Sequence, residues 1–163
     1  MKILVTGGAG FIGSHVVDAY INAGHHVIVI DNLVTGFEKN INKRAKFHKA
    51  DIRAPDIYPL FAGADCVFHL AAKNCIADCQ ADPVETAEIN VGGTVNIFEA
   101  AKRASVRKVI YAESSALYEG IKQFPTPEIN VAPETFYAVS KLAGSEFAKA
   151  YHKFYGLNTV GLR

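Results

Sequence analysis

The stretch "TGGAGFIGSH", residues 6–15, contains four glycines in ten positions. It follows the apolar run "ILV" at residues 3–5 and precedes a pattern typical of a helix. Because glycine weakens regular structure, such a concentration indicates either a plain turn or a close approach of the backbone to another group. The surrounding sequence decides between these two possibilities.

Short apolar runs alternate with helical patterns along the rest of the chain. The nearly continuous runs are typical of strands that are buried on both faces. Strands are predicted at 3–5, 26–30, 46–50, 66–71, 108–112 and 158–162, and helices at 12–23, 55–62, 84–104 and 135–155. Residues 123–133, with three prolines, are predicted as a long loop. Right-handed crossovers then give a Rossmann-type, doubly wound α/β fold, with a parallel sheet in the order 3-2-1-4-5-6 and helices on both faces.

The glycine stretch joins the first strand to the first helix of this fold. Asp31 follows the second strand, 18 residues after Gly13. In a dinucleotide-binding fold, such glycines allow close approach to the pyrophosphate, and the helix N-terminus offers free N–H groups to the phosphates. Asp31 would accept hydrogen bonds from the adenosine ribose, and its charge would repel a 2′-phosphate. We therefore expect NAD, rather than NADP, as the cofactor.

The composition argues against several other classes of protein. A formal net charge of +1 gives no reason to expect nucleic acid or an anionic membrane as a partner. No apolar run approaches the roughly 18 residues that span a bilayer, and the start "MKILVTGG" does not resemble a signal peptide. Three cysteines are too few for a disulfide framework, and Cys75 and Cys79 lack a second pair of metal ligands. We expect a cytoplasmic domain without a metal.

The motifs of the chain resemble those of the extended short-chain dehydrogenase/reductases, in particular the nucleotide-sugar epimerases and dehydratases. The spacing of Gly7, Gly10 and Gly13 matches that family, although Gly8, Gly10 and Gly13 fit the general Rossmann pattern equally well. Further matching segments occur in the family's order: "DNLVTG" (31–36), "ADI" (50–52), "HLAA" (69–72), "NVGGT" (90–94), "SSALY" (114–118) and "YAVSK" (137–141). The resemblance covers the whole chain.

The resemblance implies where the cofactor binds and what else the protein binds. The implied cofactor contacts are Gly7, Gly10, Phe11, Ile12, Gly13, Asp31, Asn32, Asp51, Ile52, Leu70, Ala71, Ala72, Tyr137 and Lys141. The implied substrate is a UDP- or dTDP-linked sugar, and the implied assembly is a homodimer formed through helices 84–104 and 135–155. Residues 1–163 would be the NAD-binding domain, and the family's C-terminal substrate domain is expected to be absent.

The residues of the motif "YAVSK" themselves indicate acid–base chemistry. Tyr137 and Lys141 are four positions apart, so on a helix they share one face. A phenol is a poor base at neutral pH, and a nearby ammonium favours the phenolate. The resemblance makes Tyr137 the general base for reversible hydride transfer from a sugar carbon to NAD, and lets Lys141 reach the nicotinamide ribose. Ser114, four residues before Tyr118, would bind the substrate oxygen, with Ser115 as a second candidate.

The sequence departs from the family pattern at two positions near the serines. Glu113 stands where small or hydroxyl residues are usual, and Glu119 stands where the family has glycine after the tyrosine. Family members also continue for about as many residues again. Two functions therefore stay open at this point: the cofactor domain of an epimerase, dehydratase or decarboxylase, or a non-catalytic NAD-binding module such as a sensor or partner subunit.

Overall fold

Six parallel strands form one sheet in the order β3-β2-β1-β4-β5-β6 in the computed structural model, which describes residues 1–163. The strands are β1 (Lys2–Thr6), β2 (His26–Asp31), β3 (Lys46–Lys49), β4 (Cys66–His69), β5 (Lys108–Ala112) and β6 (Thr159–Leu162). The predicted strand order and the Rossmann-type fold are confirmed.

Five α-helices connect and cover these strands. They are α1 (Phe11–Asn22), α2 (Ile76–Ala81), α3 (Pro83–Ala87), α4 (Thr94–Arg103) and α5 (Phe136–Tyr155). The hydroxyl of Thr135 caps α5 by accepting the N–H of Ala138 at 3.2 Å. Helix α5 ends at Tyr155, and Gly156 is its C-cap, as the sequence predicts. None of the helices is both long and apolar enough to cross a lipid bilayer.

Alternation along the central strand divides the core between the two faces of the sheet. Ile3 and Val5 of β1 pack with Val17 of α1, whereas Leu4 belongs to the cluster that contains Phe98 of α4. All five side chains are fully buried. Because successive side chains of a strand point to opposite faces, one strand anchors helices on both sides of the sheet.

The prediction of one long helix at 84–104 is wrong in one respect, because the helix is interrupted. A π-helical turn at Glu88–Gly93 separates α3 from α4. The turn lies tightly against the segment after β3, since a Cβ on Gly93 would lie 2.6 Å from Cδ1 of Ile52. It also presents the buried side chain of Asn90 to neighbouring segments. The periodicity of the local sequence does not reveal contacts of this kind with distant segments.

Other elements also differ from the predictions in their type, their ends or their presence. The predicted helix at 55–62 is a 3₁₀-helix, Pro55–Phe61, in which Pro59 has no N–H to give to an α-helical ladder. Strand β4 ends at His69 rather than at residue 71, and β3 ends at Lys49 rather than at residue 50. The short helix α2 was not predicted.

Candidate functional site

A cleft of about 810 Å³ opens at the carboxyl ends of the central strands, where open α/β sheets bind ligands. It is lined by twelve of the fourteen residues that the resemblance assigns to the cofactor: Gly7, Gly10, Phe11, Ile12, Gly13, Asp31, Asn32, Asp51, Ile52, Leu70, Ala71 and Ala72. The lining also includes Ala112 at the end of β5. The structure thus brings together residues from five separate segments of the chain.

The glycines of the loop after β1 have different surroundings. Gly7 has a φ of 72°, and a Cβ there would lie 2.7 Å from the backbone N of Ala71. A Cβ on Gly13 would collide with the carbonyl of Gly7, so both positions serve close packing of the backbone. At Gly10, by contrast, a Cβ would meet only the Gly7 carbonyl oxygen, at 3.2 Å. The missing side chain of Gly10 therefore leaves open space in the cleft.

The N-terminus of α1 presents unpaired hydrogen-bond donors at this loop. The N-cap residue is Gly10, which has no side chain to cap the helix. The backbone N–H groups of Phe11, Ile12 and Gly13 have no acceptor within the protein. Free N–H groups at the positive end of a helix are a suitable site for a phosphate, so the loop fits the pyrophosphate of a dinucleotide.

Asp31, at the end of β2, holds the glycine loop through its carboxylate. One carboxylate oxygen accepts the N–H of Ala9 at 2.9 Å, and the other accepts the N–H of Leu33 at 2.8 Å. The residue is 7% exposed and lines the cleft. Since each carboxylate oxygen has two lone pairs, Asp31 retains acceptor capacity for a ribose hydroxyl.

Asp51 and Asn32 lie beside each other at the same end of the cleft. The amide of Asn32 donates to the Asp51 carboxylate at 3.4 Å. Arg53 donates to both oxygens of that carboxylate, from Nε at 3.0 Å and from Nη2 at 2.8 Å. These hydrogen bonds from Arg53 lower the pKa of the Asp51 carboxyl, which is therefore ionised at neutral pH.

The candidate catalytic pair lies next to the other end of the cleft. Tyr137 is the second residue of α5 and is half-buried, and Nζ of Lys141 lies 5.8 Å from the centre of its ring. The Lys141 ammonium donates to the carbonyl of Ala112 at 3.1 Å. Burial lowers the pKa of Lys141 to about 8. Through Ala112, Lys141 adjoins the cleft without being part of its lining.

The two candidate serines follow β5 after one intervening residue, Glu113. The hydroxyl of Ser114 accepts the N–H of Ala116 at 3.1 Å and so caps the 3₁₀-helix Ser115–Tyr118. Ser115 is exposed. Neither serine lines the cleft, and neither do Tyr137 and Lys141. Ser114 and Ser115 follow β5, whereas Tyr137 and Lys141 lie on α5. These two segments meet where Lys141 contacts Ala112, at the end of the cleft.

A buried histidine connects the strands beneath the site. Nδ1 of His69 lies 2.8 Å from the hydroxyl of Thr6, and Nε2 lies 3.0 Å from the hydroxyl of Thr94. Burial and, to a smaller extent, the charge of Lys141 lower the pKa of His69 to about 3. His69 is therefore a neutral bridge between β1, β4 and α4. Sequence analysis missed this role, although a histidine within an apolar strand was an available signal.

Asn90 in the π-helical turn makes a second connection that the sequence did not reveal. Its side-chain amide accepts the N–H of Lys73 at 2.8 Å and donates to the Lys73 carbonyl at 2.9 Å. The same amide donates to the hydroxyl of Ser140 at 3.0 Å, and Ser140 donates to the carbonyl of Tyr137 at 2.7 Å. Asn90 thus ties the cleft wall to α5.

Glu113 points away from the cleft, towards α5 and β6. It accepts hydrogen bonds from Tyr111 at 2.9 Å and from Ser145 at 2.7 Å, and it forms an ion pair with Arg163. Burial favours the neutral acid, but the hydrogen bonds from Arg163, Ser145 and Tyr111 outweigh it and lower the pKa of Glu113. Its side chain is 8% exposed and has a structural role at the edge of the sheet.

The cysteines singled out in the sequence lie on α2 or next to it. Cys75 is exposed, whereas Cys79 is buried and donates to the carbonyl of Lys73 at 3.5 Å. No group of three or more His, Cys, Asp or Glu side chains is arranged to hold a metal ion.

Comparisons with known proteins agree with this geometry. The family model of the NAD dependent epimerase/dehydratase family matches residues 3–163. A Methanocaldococcus jannaschii protein is 41% identical over 99% of this chain, which covers 54% of that protein. The chain therefore spans about half the length of the curated relatives that it matches.

Solved structures extend the likeness to the backbone. The UDP-glucose 4-epimerase of Thermotoga maritima, solved with UDP-glucose, matches with a TM-score of 0.97 and 37% identity over 100% of this chain and 55% of that one. The UDP-glucose 4-epimerase of Thermus thermophilus, solved with NAD, matches with a TM-score of 0.95 and 35% identity over 100% of this chain and 54% of that one. The chain belongs to the NAD-dependent epimerase/dehydratase family.

Proposed function

We propose that residues 1–163 are the NAD-binding domain of a nucleotide-sugar epimerase or dehydratase that acts by reversible hydride transfer. The observation that carries the proposal is the continuity of the cleft. One end holds the free N–H groups of α1 and the carboxylate of Asp31, and the other end reaches Ala112, whose carbonyl binds Lys141. A dinucleotide needs both a phosphate site and a reactive end near catalytic groups.

The cofactor contacts follow from the position of each residue along the cleft. The N–H groups of Phe11 and Ile12 would bind the pyrophosphate, and the open face of Gly10 would make room for it. Asp31 and Asn32 would bind the adenosine ribose, and Asp51 and Ile52 would flank the adenine. The remaining wall, residues 70–72, would pass beneath the cofactor.

When bound, NAD would supply the chemistry of reversible hydride transfer at a sugar carbon. Tyr137 would take the hydroxyl proton of that carbon as general base, and Ser114 would hold the reacting oxygen by a hydrogen bond, with Ser115 as a secondary substrate contact. With a pKa of about 8, Lys141 is mostly protonated at pH 7. Its ammonium can therefore favour the phenolate and bind the nicotinamide ribose.

We also propose a UDP- or dTDP-linked sugar as substrate and a homodimer as the assembly. UDP-glucose is bound by the Thermotoga maritima relative. A dimer through helices 84–104 and 135–155 would cover Phe147 and Phe154, which are 42% and 71% exposed. Other apolar residues of these helices are unavailable to a partner because they belong to the core or pack against it: Val95, Ile97, Phe98 and Tyr151.

A chimera tests the chemistry. Residues 1–163 would replace the matching half of the Thermotoga maritima epimerase, and interconversion of UDP-glucose and UDP-galactose would be measured. We expect turnover that falls by roughly a hundredfold to ten-thousandfold in Tyr137→Phe, since this is the range that general-base catalysis contributes. NAD binding by the chimera serves as the folding control. A chimera that binds NAD but is equally slow with and without Tyr137 would favour a non-catalytic NAD-binding module.

A further inference from the structure

Glu119 occupies a position between the two segments that carry the candidate catalytic groups. It follows the 3₁₀-helix that Ser114 caps, and its carboxylate reaches the start of α5. One carboxylate oxygen accepts the N–H groups of Glu134 at 3.0 Å and of Thr135 at 2.9 Å. The other accepts the hydroxyl of Thr135 at 3.0 Å. All three donors belong to the N-cap of α5 or to the residue before it.

The first turn of α5 depends on such outside contacts. The first four N–H groups of a helix have no acceptor within the helix. Here Phe136 donates its N–H to the side chain of Gln80 at 3.0 Å, and Ala138 donates to the hydroxyl of Thr135 at 3.2 Å. Tyr137 lies between these two residues. The contacts of Thr135 and Gln80 therefore contribute to the position of Tyr137.

The backbone around Glu119 brings the same two segments together. Gly120 donates its N–H to the carbonyl of Ala132 at 2.9 Å, and Ala132 donates to the carbonyl of Leu117 at 2.8 Å. The approach is close, since a Cβ on Gly120 would lie 3.0 Å from Cβ of Ala132. The loop that joins the 3₁₀-helix to α5 is thus closed at its base, and Glu119 supplies the side-chain contacts of that closure.

We propose that Glu119 is a positioning residue, which fixes the first turn of α5 against the Ser114 segment and thereby orients Tyr137. The inference rests on the proposed function, because it assigns the support of the proposed general base. A carboxylate at a helix N-terminus is also favoured by the helix dipole. Glu119 is ionised there, since the hydrogen bonds from Glu134 and Thr135 outweigh burial and lower its pKa.

Three variants separate geometry from charge. Glu119→Gln keeps one oxygen that can accept both N–H groups, and its amide can donate to the Thr135 hydroxyl, so the geometry is preserved without the charge. Glu119→Ala removes every contact. Glu128→Ala is the matched control, because Glu128 is an exposed carboxylate in the same loop and its side chain makes no hydrogen bond or ion pair within the protein.

The test is ¹⁹F NMR of the NAD-free chain labelled with 3-fluorotyrosine, at mildly acidic pH. The Tyr137 signal, one of seven, is identified by its loss in Tyr137→Phe. We expect one unchanged Tyr137 signal in the wild type, Glu119→Gln and Glu128→Ala. In Glu119→Ala this signal should shift towards that of an exposed fluorotyrosine or broaden, while the signals of the buried Tyr111 and Tyr151 stay in place.

Several results would overturn the proposal: an unmoved Tyr137 signal in Glu119→Ala, equal movement of the Tyr111 and Tyr151 signals, or an equal shift in Glu119→Gln. If Glu119→Ala does not fold, Glu119→Asp takes its place. It keeps the charge but withdraws the carboxylate by one methylene, so an unmoved Tyr137 signal in that variant also overturns the proposal. No NAD is used, so a chain that fails to bind NAD contradicts the proposed function and leaves this result intact.

Discussion

A substitution at Gly10 is the most direct test of the proposal that the glycine loop binds the phosphates of NAD. A valine there would put a branched side chain into the cleft, with only the Gly7 carbonyl oxygen nearby at 3.2 Å from the new Cβ. We predict that Gly10→Val remains folded but weakens NAD binding by roughly a hundredfold or more, about 3 kcal/mol. Isothermal calorimetry measures the affinity, and circular dichroism checks the fold.

The matched control for this variant is Gly92→Ala. A Cβ on Gly92 would lie 3.9 Å from the carbonyl of Ala87, and the residue is outside the lining of the cleft. Its NAD affinity should equal that of the wild type. If Gly10→Val also binds NAD normally, the loop is a plain turn and the phosphate interpretation is wrong.

Asp31 is predicted to make the site selective for NAD. Its carboxylate lies at the end of β2, where a 2′-phosphate would have to bind, so we expect NAD to bind at least about tenfold more tightly than NADP. Asp31→Ala should narrow the difference, but it also removes the contacts to Ala9 and Leu33. Asp31→Asn is the better comparison because it removes the charge, keeps the shape and retains one oxygen that can accept one of these two N–H groups. Calorimetry that finds equal or tighter NADP binding by the wild type contradicts the prediction.

Lys141 is predicted to make the stability of the NAD-free chain depend on pH. Its pKa falls from 10.5 to about 8 on folding because burial disfavours the charged form. Between these two values the unfolded chain holds a proton that the folded chain has released, so stability rises with pH through this window. Below pH 8 the full cost of burying the ammonium is present.

Replacing Lys141 with methionine should remove that cost. Allowing for the lost hydrogen bond to Ala112, we predict that Lys141→Met is more stable by about 1–2 kcal/mol at pH 7. The difference should shrink as the pH rises towards 10.5. Urea unfolding at a series of pH values measures it. A constant difference at every pH would show that Lys141 does not titrate in this window.

At the scale of elements, the sequence predicted the features that depend on residues close together in the chain. The sequence predicted all six strands, most of them from apolar runs, and it placed the glycine loop between β1 and α1. The predicted end of β4 was wrong because its neighbour β1 ends at Thr6: Leu70 donates its N–H to the backbone carbonyl of Thr6 at 3.1 Å, and Ala71 donates to the Thr6 hydroxyl at 3.3 Å. Those contacts cross 64 and 65 positions of the chain, and no local pattern reports them.

The candidate site likewise contains both contacts that the local sequence predicts and contacts between distant segments. Tyr137 and Lys141 are one helical turn apart, so their proximity follows from sequence alone. The contact between Gln80 and the start of α5 spans 56 positions, and Glu119 contacts Thr135 across 16. Glutamate and glutamine at such positions look like ordinary surface residues until the fold brings the segments together.

We predict self-association because α5 has an apolar side chain on its exposed face. Phe147 is 42% exposed although it lies within a packed helix, so we expect it to be buried in a homodimer. Phe147→Asp should weaken the dimer by at least about tenfold, because burying an unpaired charge is costly. Phe124→Asp, at a residue that is 83% exposed in the preceding loop, is the control and should not change association. Analytical ultracentrifugation that finds the wild type monomeric at all accessible concentrations contradicts the dimer.

At the scale of the whole molecule, the parallel sheet accounts for the arrangement of the site. All six strands end at one edge, so residues from the ends of β1, β2, β4 and β5 meet in a single cleft. The same edge brings Ala112 beside Lys141. We therefore expect residues 1–163 to supply most of the contacts to a dinucleotide.

Contacts to a nucleotide sugar are a different matter, because the chain spans about half the length of its relatives. Within residues 1–163, the groups that we propose for the substrate are Ser114, Ser115 and Tyr137, and all three are proposed to act at the reacting carbon or its oxygen. We therefore predict that the 163-residue polypeptide binds NAD but does not turn over a nucleotide sugar by itself. Positioning of reactants can account for roughly 7–11 kcal/mol of barrier lowering, so its loss should slow hydride transfer by many orders of magnitude.

The assay of this last prediction follows NADH absorbance and products with UDP-glucose, UDP-galactose, UDP-glucuronate and dTDP-glucose. NAD binding is measured in the same preparation, so that an inactive polypeptide is known to be folded and loaded. Turnover that is robust in the 163-residue polypeptide and lost in Tyr137→Phe contradicts the prediction. In that case, residues 1–163 would hold the sugar as well as the cofactor, and the cleft beside Ala112 would have to accommodate both.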